Sequence, residues 1–283
     1  MLIISFGAII GYGLNFGIDF TGGSILEVSY PEKIPTQEEI TSSLNNISFG
    51  TYSLRSAGDN GFIIRTKFLD DSERVSIISS LSIDNQYTVK EERFNSVGPT
   101  IGSELKRKAY VAIAIVLIAI ILFIAFAFRK VSKPVSSWRY GIVAIVALIH
   151  DITIPTGVFA FLGHFAGIEI DVLFVMALLA ILGYSVNDTI VVFDRVRENL
   201  RHNQEAHVKE SFSDTVGKSL SQTYARSFNV SFTAFLVLIA LLLFGGVSTT
   251  YFALAMVIGV AAGSYSSLFI APSLLILINK ESQ

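Results

Sequence analysis

Cysteine is absent from the 283 residues, which excludes a disulfide framework, a thiolate metal site and a cysteine nucleophile. Charge is scarce too. Asp, Glu, Lys and Arg make up 16% of the chain, and the net charge of −2 gives no global electrostatic case for nucleic acid or acidic ligands. The sequence holds no ATP-binding P-loop, no nucleic-acid module, no low-complexity tract and no repeat with a period of roughly 20 to 50 residues. Residues 1–18 are uncharged, but no basic segment precedes them and no A-x-A-like cleavage site follows, so they do not read as a secretory signal.

What is present is oil-soluble. Hydrophobic residues make up 52% and the mean hydropathy is +0.60, beyond the range of an ordinary soluble domain. Residues 110–128, 227–250 and 251–279 hold no charged side chain, and each exceeds the ~18 residues that suffice to cross a bilayer core. The pattern predicts six membrane helices, at 1–18, 110–128, 140–162, 171–193, 227–244 and 250–278. Arg129, Lys130, Lys133 and Arg139 lie between spans 2 and 3, and Arg195, Arg197, Arg201, Lys209, Lys218 and Arg226 between spans 4 and 5. Connections 164–170 and 245–249 lack Lys and Arg, so the charge bias predicts that both termini are cytoplasmic.

Residues 19–109 carry more than half of the charged side chains and read as one extracytoplasmic domain. Ser24 to Tyr30 alternates as a strand, and Thr36 with Glu39 forms a capping box ahead of a helix ending near Ile47. Tyr52 to Ser56 and Phe62 to Lys67 flank the Gly58-Asp59-Asn60-Gly61 turn. Asp70 and Glu73 open a second helix and Tyr87 to Phe94 closes the unit, giving the β-α-β-β-α-β order of a ferredoxin-like α+β fold. The glycine pairs Gly7/Gly11, Gly13/Gly17 and Gly259/Gly263 read as close helix contacts.

Ionisable residues inside the spans are the informative ones, because a charge at helix centre costs roughly 2.5 to 3.5 kcal/mol even on the insertion scale. His150 and Asp151 fall near the middle of span 3, and Asp188 lies about 9 Å inside the inner boundary of span 4. Tyr184 and Ser185 precede Asp188 by one turn and Asn187 adjoins it, which predicts a polar stripe around the carboxyl. Arg226 sits at the inner mouth of span 5, on a face with Asn229 and Thr233. A carboxyl that alternates between an arginine and a dry environment takes up and releases protons, so these residues predict a proton relay. A static Asp188–Arg226 ion pair and a purely structural His150 hydrogen bond remain open. His150-Asp151 lacks the spacing and third ligand of a metal site. The GxGD element of an intramembrane aspartyl protease is absent, and Ser185 has neither a base at useful spacing nor an oxyanion motif.

Gly17-Ile18-Asp19-Phe20-Thr21-Gly22-Gly23 resembles the GIDFTGG signature of the SecD/SecF family of protein-export membrane subunits. The runs ALIHDI and LFVMALLAILGYSVNDTIVVFDRVREN, within residues 147–199, resemble the SecF branch, and Val97-Gly98-Pro99 agrees. The resemblance implies a non-enzymatic subunit of the bacterial inner membrane, with no cofactor, metal or nucleic acid. It implies pairing with SecD in a twelve-span assembly related to the RND transporters, beside the SecY channel. On that resemblance the assembly is expected to use the proton motive force to pull preproteins outward after the ATP-driven stage. The resemblance further implies proton-transport roles for Asp188, within NDTIVVFDR, and Arg226, within TYARS, and a functional need for Asp19 in its glycine-bounded motif. Family members begin with a longer, basic-flanked first span, so Met1 is expected to lie downstream of the natural membrane entry. Pro155, one turn after Asp151, is expected to loosen span 3. An RND-like small-molecule exporter and a passive translocon scaffold are the rival readings, the first disfavoured by the small outer region.

Overall fold

The structure is a computed structural model and describes residues 1–47, 49–58, 60–83, 85–127 and 137–280. Expectations resting on Asp59, Phe128, Arg129, Lys130 and Lys133 lie outside the described residues. The elements are α1 (Leu2–Tyr12), α2 (Ile18–Thr21), β1 (Gly23–Ser29), α3 (Gln37–Asn45), β2 (Tyr52–Ala57), β3 (Gly61–Thr66), α4 (Asp71–Leu81) and β4 (Lys90–Val97). They continue with α5 (Pro99–Ala127), α6 (Ser137–Ala166), α7 (Val172–Glu205), α8 (Phe212–Phe244), α9 (Val247–Tyr265), a π-helical turn (Ser266–Ile270) and α10 (Ala271–Lys280). Two compact units result, one of Phe16–Ala109 and one of Met1–Asn15 with Tyr110–Gln283.

In the smaller unit four antiparallel strands pair in the order β2-β3-β1-β4. The inner strand β1 alternates burial, with Leu26 and Val28 fully enclosed, because successive side chains point to opposite faces. Helices α3 and α4 each start at a complete capping box, Thr36 with Glu39 and Asp70 with Glu73, so two otherwise orphaned amide protons are satisfied at each start. Ile40 and Leu44 of α3 and Ile77 and Leu81 of α4 are fully buried in one core with the sheet. Where the helices touch, the Ser43 hydroxyl donates to the Ser80 carbonyl at 2.5 Å and the Ser80 hydroxyl to the Ser43 carbonyl at 2.9 Å. Burial pushes the Tyr30 phenol up to about 12, aided by nearby Tyr87, while its hydroxyl donates to the Leu81 carbonyl at 3.2 Å. The last strand begins at Lys90, later than the hydrophobic pattern suggested. Ile83 and Asn85 adopt positive φ (45° and 60°) and the Tyr87 amide bonds to Ser82 at 3.1 Å, so Tyr87 enters the core from a turn.

Among the described residues, five helices of the chain are long and apolar enough to cross a membrane: 99–127, 138–166, 172–205, 212–244 and 249–279. The expected first span, 1–18, is different. Helix α1 has 11 residues, roughly 16 Å at the α-helical rise, about half a bilayer core. Gly13 ends it, with φ 73° and ψ −174°. Helix α1 rests on α6, where a Cβ on Gly157 would lie 2.5 Å from the Ser5 Cα. Among the described residues, an added Cβ on Gly7 or Gly11 meets no neighbour within 4 Å, and Gly13 and Gly17 lie outside α1, so neither pair forms a close helix contact there. Gly259 and Gly263 do, bringing α9 against Ile181 and Ser185 of α7.

Helices α7 and α8 continue well past the expected span ends at 193 and 227, because charged residues beyond the apolar run pair along the helix, as Arg201 does with Glu205 at 2.8 Å. The connection between them shrinks to 206–211. Helix α6 passes Pro155 without interruption. Burial within the chain is uneven: 61% of the apolar stretch of α6 is enclosed, against 6% for α5 and for α8. Those two helices therefore present apolar surface outward.

Candidate functional site

The glycine-rich segment folds as a tight knot. Gly17 caps the four-residue α2, which puts Asp19 in its first turn, and the Thr21 hydroxyl donates to the Gly17 carbonyl at 3.0 Å. Asp19 thus opens a helix rather than capping the end of one. Gly22 sits at φ 74°, ψ 162°, a region essentially closed to residues with a Cβ, and Gly23 has φ 131°. A Cβ on Gly22 would lie 2.8 Å from the Pro99 Cα, one on Gly102 would lie 2.8 Å from the Gly22 nitrogen, and one on Gly23 would lie 2.7 Å from the Thr66 carbonyl oxygen. Backbone therefore meets backbone where the motif crosses the first turns of α5. The Arg65 guanidinium donates to the Phe16 carbonyl at 3.2 Å, and the Lys106 ammonium lies 4.2 Å from the Phe16 ring centre.

Among its described residues the helical unit holds two buried carboxyls. Asp151 is completely enclosed and Asp188 is 6% exposed. The fully buried Ala144 and Ala147 precede Asp151 on its helix face, leaving room for α7 and the π turn to approach. Asp151 Oδ1 is 2.8 Å from His150 Nδ1, and its Oδ2 accepts from the Ser266 hydroxyl at 2.8 Å and from the Ser185 hydroxyl. Asp188 Oδ2 accepts from the Ser267 hydroxyl at 2.6 Å. Bonds to charged acceptors contribute about 1.5 to 3 kcal/mol each, so three partners at Asp151 offset far more of the desolvation cost of an ionised carboxylate than the one serine bonded to Asp188 among the described residues.

Both serines come from the π turn. In it the Ala271 amide bonds to the Ser266 carbonyl, one residue farther back than in an α-helix. Pro272 gives the reason: within a helix its ring would press on the carbonyl four residues earlier, and a wider turn relieves that clash. Beside this cluster, the Ser264 hydroxyl donates to the Ser231 hydroxyl at 2.7 Å, joining α9 to α8, with Tyr184 close by. The buried hydroxyls of Thr189 and Ser227 have no hydrogen-bond partner among the described residues.

Two family profiles match the chain: "Protein export membrane protein SecD/SecF, C-terminal" over residues 78–281 and "SecD/SecF GG Motif" over 7–30. The protein translocase subunit SecF of Thermobaculum terrenum is 41% identical over 276 residues, covering 94% of this chain and 84% of its own length. That of Anaerolinea thermophila is 38% identical, covering 94% and 85%. The chain belongs to the SecF family of protein translocase subunits. Its fold matches the crystal structure of SecDF, a translocon-associated membrane protein from Thermus thermophilus, with a TM-score of 0.81 at 29% identity. The match covers 99% of this chain but only 36% of the SecDF chain, so this SecF-family chain spans about a third of that protein. As a member of the family it is a multi-pass bacterial membrane protein of transporter type, not an enzyme.

In this SecF-family fold the structure regroups the residues singled out from sequence. His150, Asp151 and Ser185 come together, so Ser185 serves Asp151 rather than Asp188, which lies one helical turn farther along α7. Tyr184 is within electrostatic reach of Asp188. Asn187 is exposed, and among the described residues it bonds to neither carboxyl. Arg226 is exposed, and among the described residues it forms no ion pair with Asp188. The cause is rotational: buried Thr223, Ser227 and Ser231 define the inward face of α8, and Arg226 falls on its outer side. Sequence reading missed Ser266 and Ser267. Adjacent serines in an uncharged span, five residues before Pro272, were the available signal.

Proposed function

We propose that this subunit works with SecD beside the SecY channel, using the proton motive force to assist the late stage of preprotein export. Asp188 takes up and releases the proton, Asp151 and His150 extend the buried polar path, and Arg226 acts from the outer face of α8 toward the SecD half. On this reading α1 completes a six-helix half of an RND-like bundle. The ferredoxin-like unit lies outside the cytoplasmic membrane and binds emerging preprotein, and both termini lie inside. The observation that carries the reading is Asp188 itself: a carboxyl 6% exposed in a membrane helix, bonded to one serine and paired with no cation among the described residues. Holding such a group permanently ionised is expensive, and a structural role would be served as well by asparagine. The bare apolar surface of α8, carrying Arg226, Asn229 and Thr233, supports a second membrane subunit as neighbour. One proton crossing about 100 mV supplies roughly 2.3 kcal/mol, so a few protons suffice to bias a two-state motion.

The test is complementation of a SecF-deficient bacterium with Asp188→Asn. The variant is expected to assemble with SecD and to lose export that an uncoupler would otherwise abolish. Wild-type export with unchanged uncoupler sensitivity from a normally assembled variant would leave only the scaffold reading.

A further inference from the structure

Ser266 and Ser267 each face a choice of acceptor. The Ser266 hydroxyl is 2.8 Å from Asp151 Oδ2 and 3.1 Å from the Gly263 carbonyl oxygen. The Ser267 hydroxyl is 2.6 Å from Asp188 Oδ2 and 3.2 Å from the Ser264 carbonyl oxygen. A hydroxyl has one proton to donate, so it serves one acceptor at a time. An ionised carboxylate is the stronger acceptor and takes it. Once the carboxyl is protonated, its own O–H can donate to the serine oxygen, and the serine proton is free to turn to the carbonyl three residues back.

We infer that the π turn Ser266–Ile270 is the element that joins the two buried carboxyls: Ser266 and Ser267 are positioning residues whose hydroxyl protons rest on Asp151 and Asp188 when these are ionised and on the Gly263 and Ser264 carbonyls when they are protonated. The inference deepens the proton-cycling function proposed above and rests on it. No proton leaves the serines, and the proton gained by each carboxyl stays on it. What moves is hydrogen-bond direction. The receiving carbonyls belong to the last turn of α9, and that of Gly263 already accepts the Ser266 amide. Serine back-bonding of this kind bends helices, so the protonation state of two side chains, one on α6 and one on α7, is read by the backbone of a third span. Adjacent positions in a wide turn are what let one helix reach both: Ser266 is bonded toward α6 and Ser267 toward α7. The titratable groups facing this pair are His150 on Asp151, Tyr265 stacked against that imidazole with ring centres 6.3 Å apart, and Tyr184 near Asp188. Helix α8 contributes the Ser231 hydroxyl, through Ser264.

The experiment follows the carboxyl C=O stretch of the full chain by infrared difference spectroscopy across pH, together with amide hydrogen exchange over residues 262–271. Wild type, Asp188→Asn, Ser267→Ala, Ser267→Thr and the Ser266→Ala/Ser267→Ala pair are compared. Wild type is expected to show a carboxyl band that Asp188→Asn removes. Ser267→Ala should keep the band but shift it to higher frequency through loss of a hydrogen bond, and Ser267→Thr should restore its position. Exchange over the π turn should depend on pH in wild type and lose that dependence in the double alanine variant. A band removed by Asp188→Asn but unmoved by Ser267→Ala, with pH-dependent exchange surviving in the double variant, overturns the inference and leaves proton cycling intact. No carboxyl band at any pH in wild type overturns both.

Discussion

Replacing Gly22 with alanine perturbs the family signature at a point where the structure gives two independent penalties. The first is conformational. At φ 74° and ψ 162° a Cβ-bearing residue occupies a region that costs of order 1–3 kcal/mol. The second is steric: the new carbon would lie 2.8 Å from the Pro99 Cα and 3.1 Å from its nitrogen, and backbone atoms at the start of α5 cannot rotate away as a side-chain tip would. Overpacking of that kind costs about 1–3 kcal/mol. Together the loss is about 2–6 kcal/mol, confined to the unit Phe16–Ala109. For a domain of this size each kcal/mol moves the melting temperature by about 4–8 °C, so a fall of more than about 8 °C is expected. The assay is thermal unfolding of the full chain in detergent, with hydrogen exchange to locate the change. Gly98→Ala is the control, because it lies in the same segment with φ in the ordinary range and nothing within 4 Å of the added carbon. If Gly22→Ala melts with wild type, or Gly98→Ala falls as far, the backbone-contact explanation of the signature is wrong.

Gly259→Ala would drive a methyl into the fully buried Ile181 of α7, and a loss of about 1–3 kcal/mol is expected. Shortening the partner, Ile181→Val, should relieve part of it in a double-mutant cycle, and strictly additive losses would refute the contact. In the smaller unit, the Thr36 backbone amide and then its hydroxyl hold the Glu39 carboxyl below its usual range, and the Ser72 hydroxyl and then the Glu73 amide do the same for Asp70. A depressed folded-state value means that this support is complete above the unfolded carboxyl range, near pH 4, and fades as pH falls through the folded values. Acid should therefore loosen the first turns of α3 and α4 ahead of the sheet. Thr36→Ala should remove about 1 kcal/mol from α3 at neutral pH and weaken the acid dependence there in part, since the backbone amide remains, while leaving α4 unchanged. Hydrogen exchange corrected for intrinsic rates reads both effects.

Local patterns carried much of the small unit. Capping boxes at Thr36 and Asp70 are contacts over three residues, and alternation along β1 reflects a face that is buried in any sheet, so both were legible without a fold. The later start of β4 was not, because whether Tyr87 enters the core from a strand or a turn depends on its packing against Tyr30 across the unit. Among the membrane helices, hydropathy located five apolar runs, whereas α7 continues beyond residue 193 and α8 begins before residue 227, since charged residues flanking an apolar run remain good helix formers. It also gave α1 too much length, because Gly13 is as uncharged as its neighbours yet takes a conformation that stops the helix.

The buried carboxyls divide along the same line. That Asp151 and Asp188 lie inside membrane spans follows from the sequence alone, since a charged residue within a long apolar run has nowhere else to be. Which groups they touch was decided by tertiary structure. Helical spacing set Ser185 beside Asp188, whereas the rotation of α7 against α9, fixed by the close approach at Gly259 and Gly263, hands Ser185 to Asp151. The π turn ahead of Pro272 adds Ser266 and Ser267 from far along the chain. Hydropathy reports how each helix meets its solvent. The partners of a buried acid depend on how helices are rotated about their axes, and that angle is set by packing between segments rather than by any one of them.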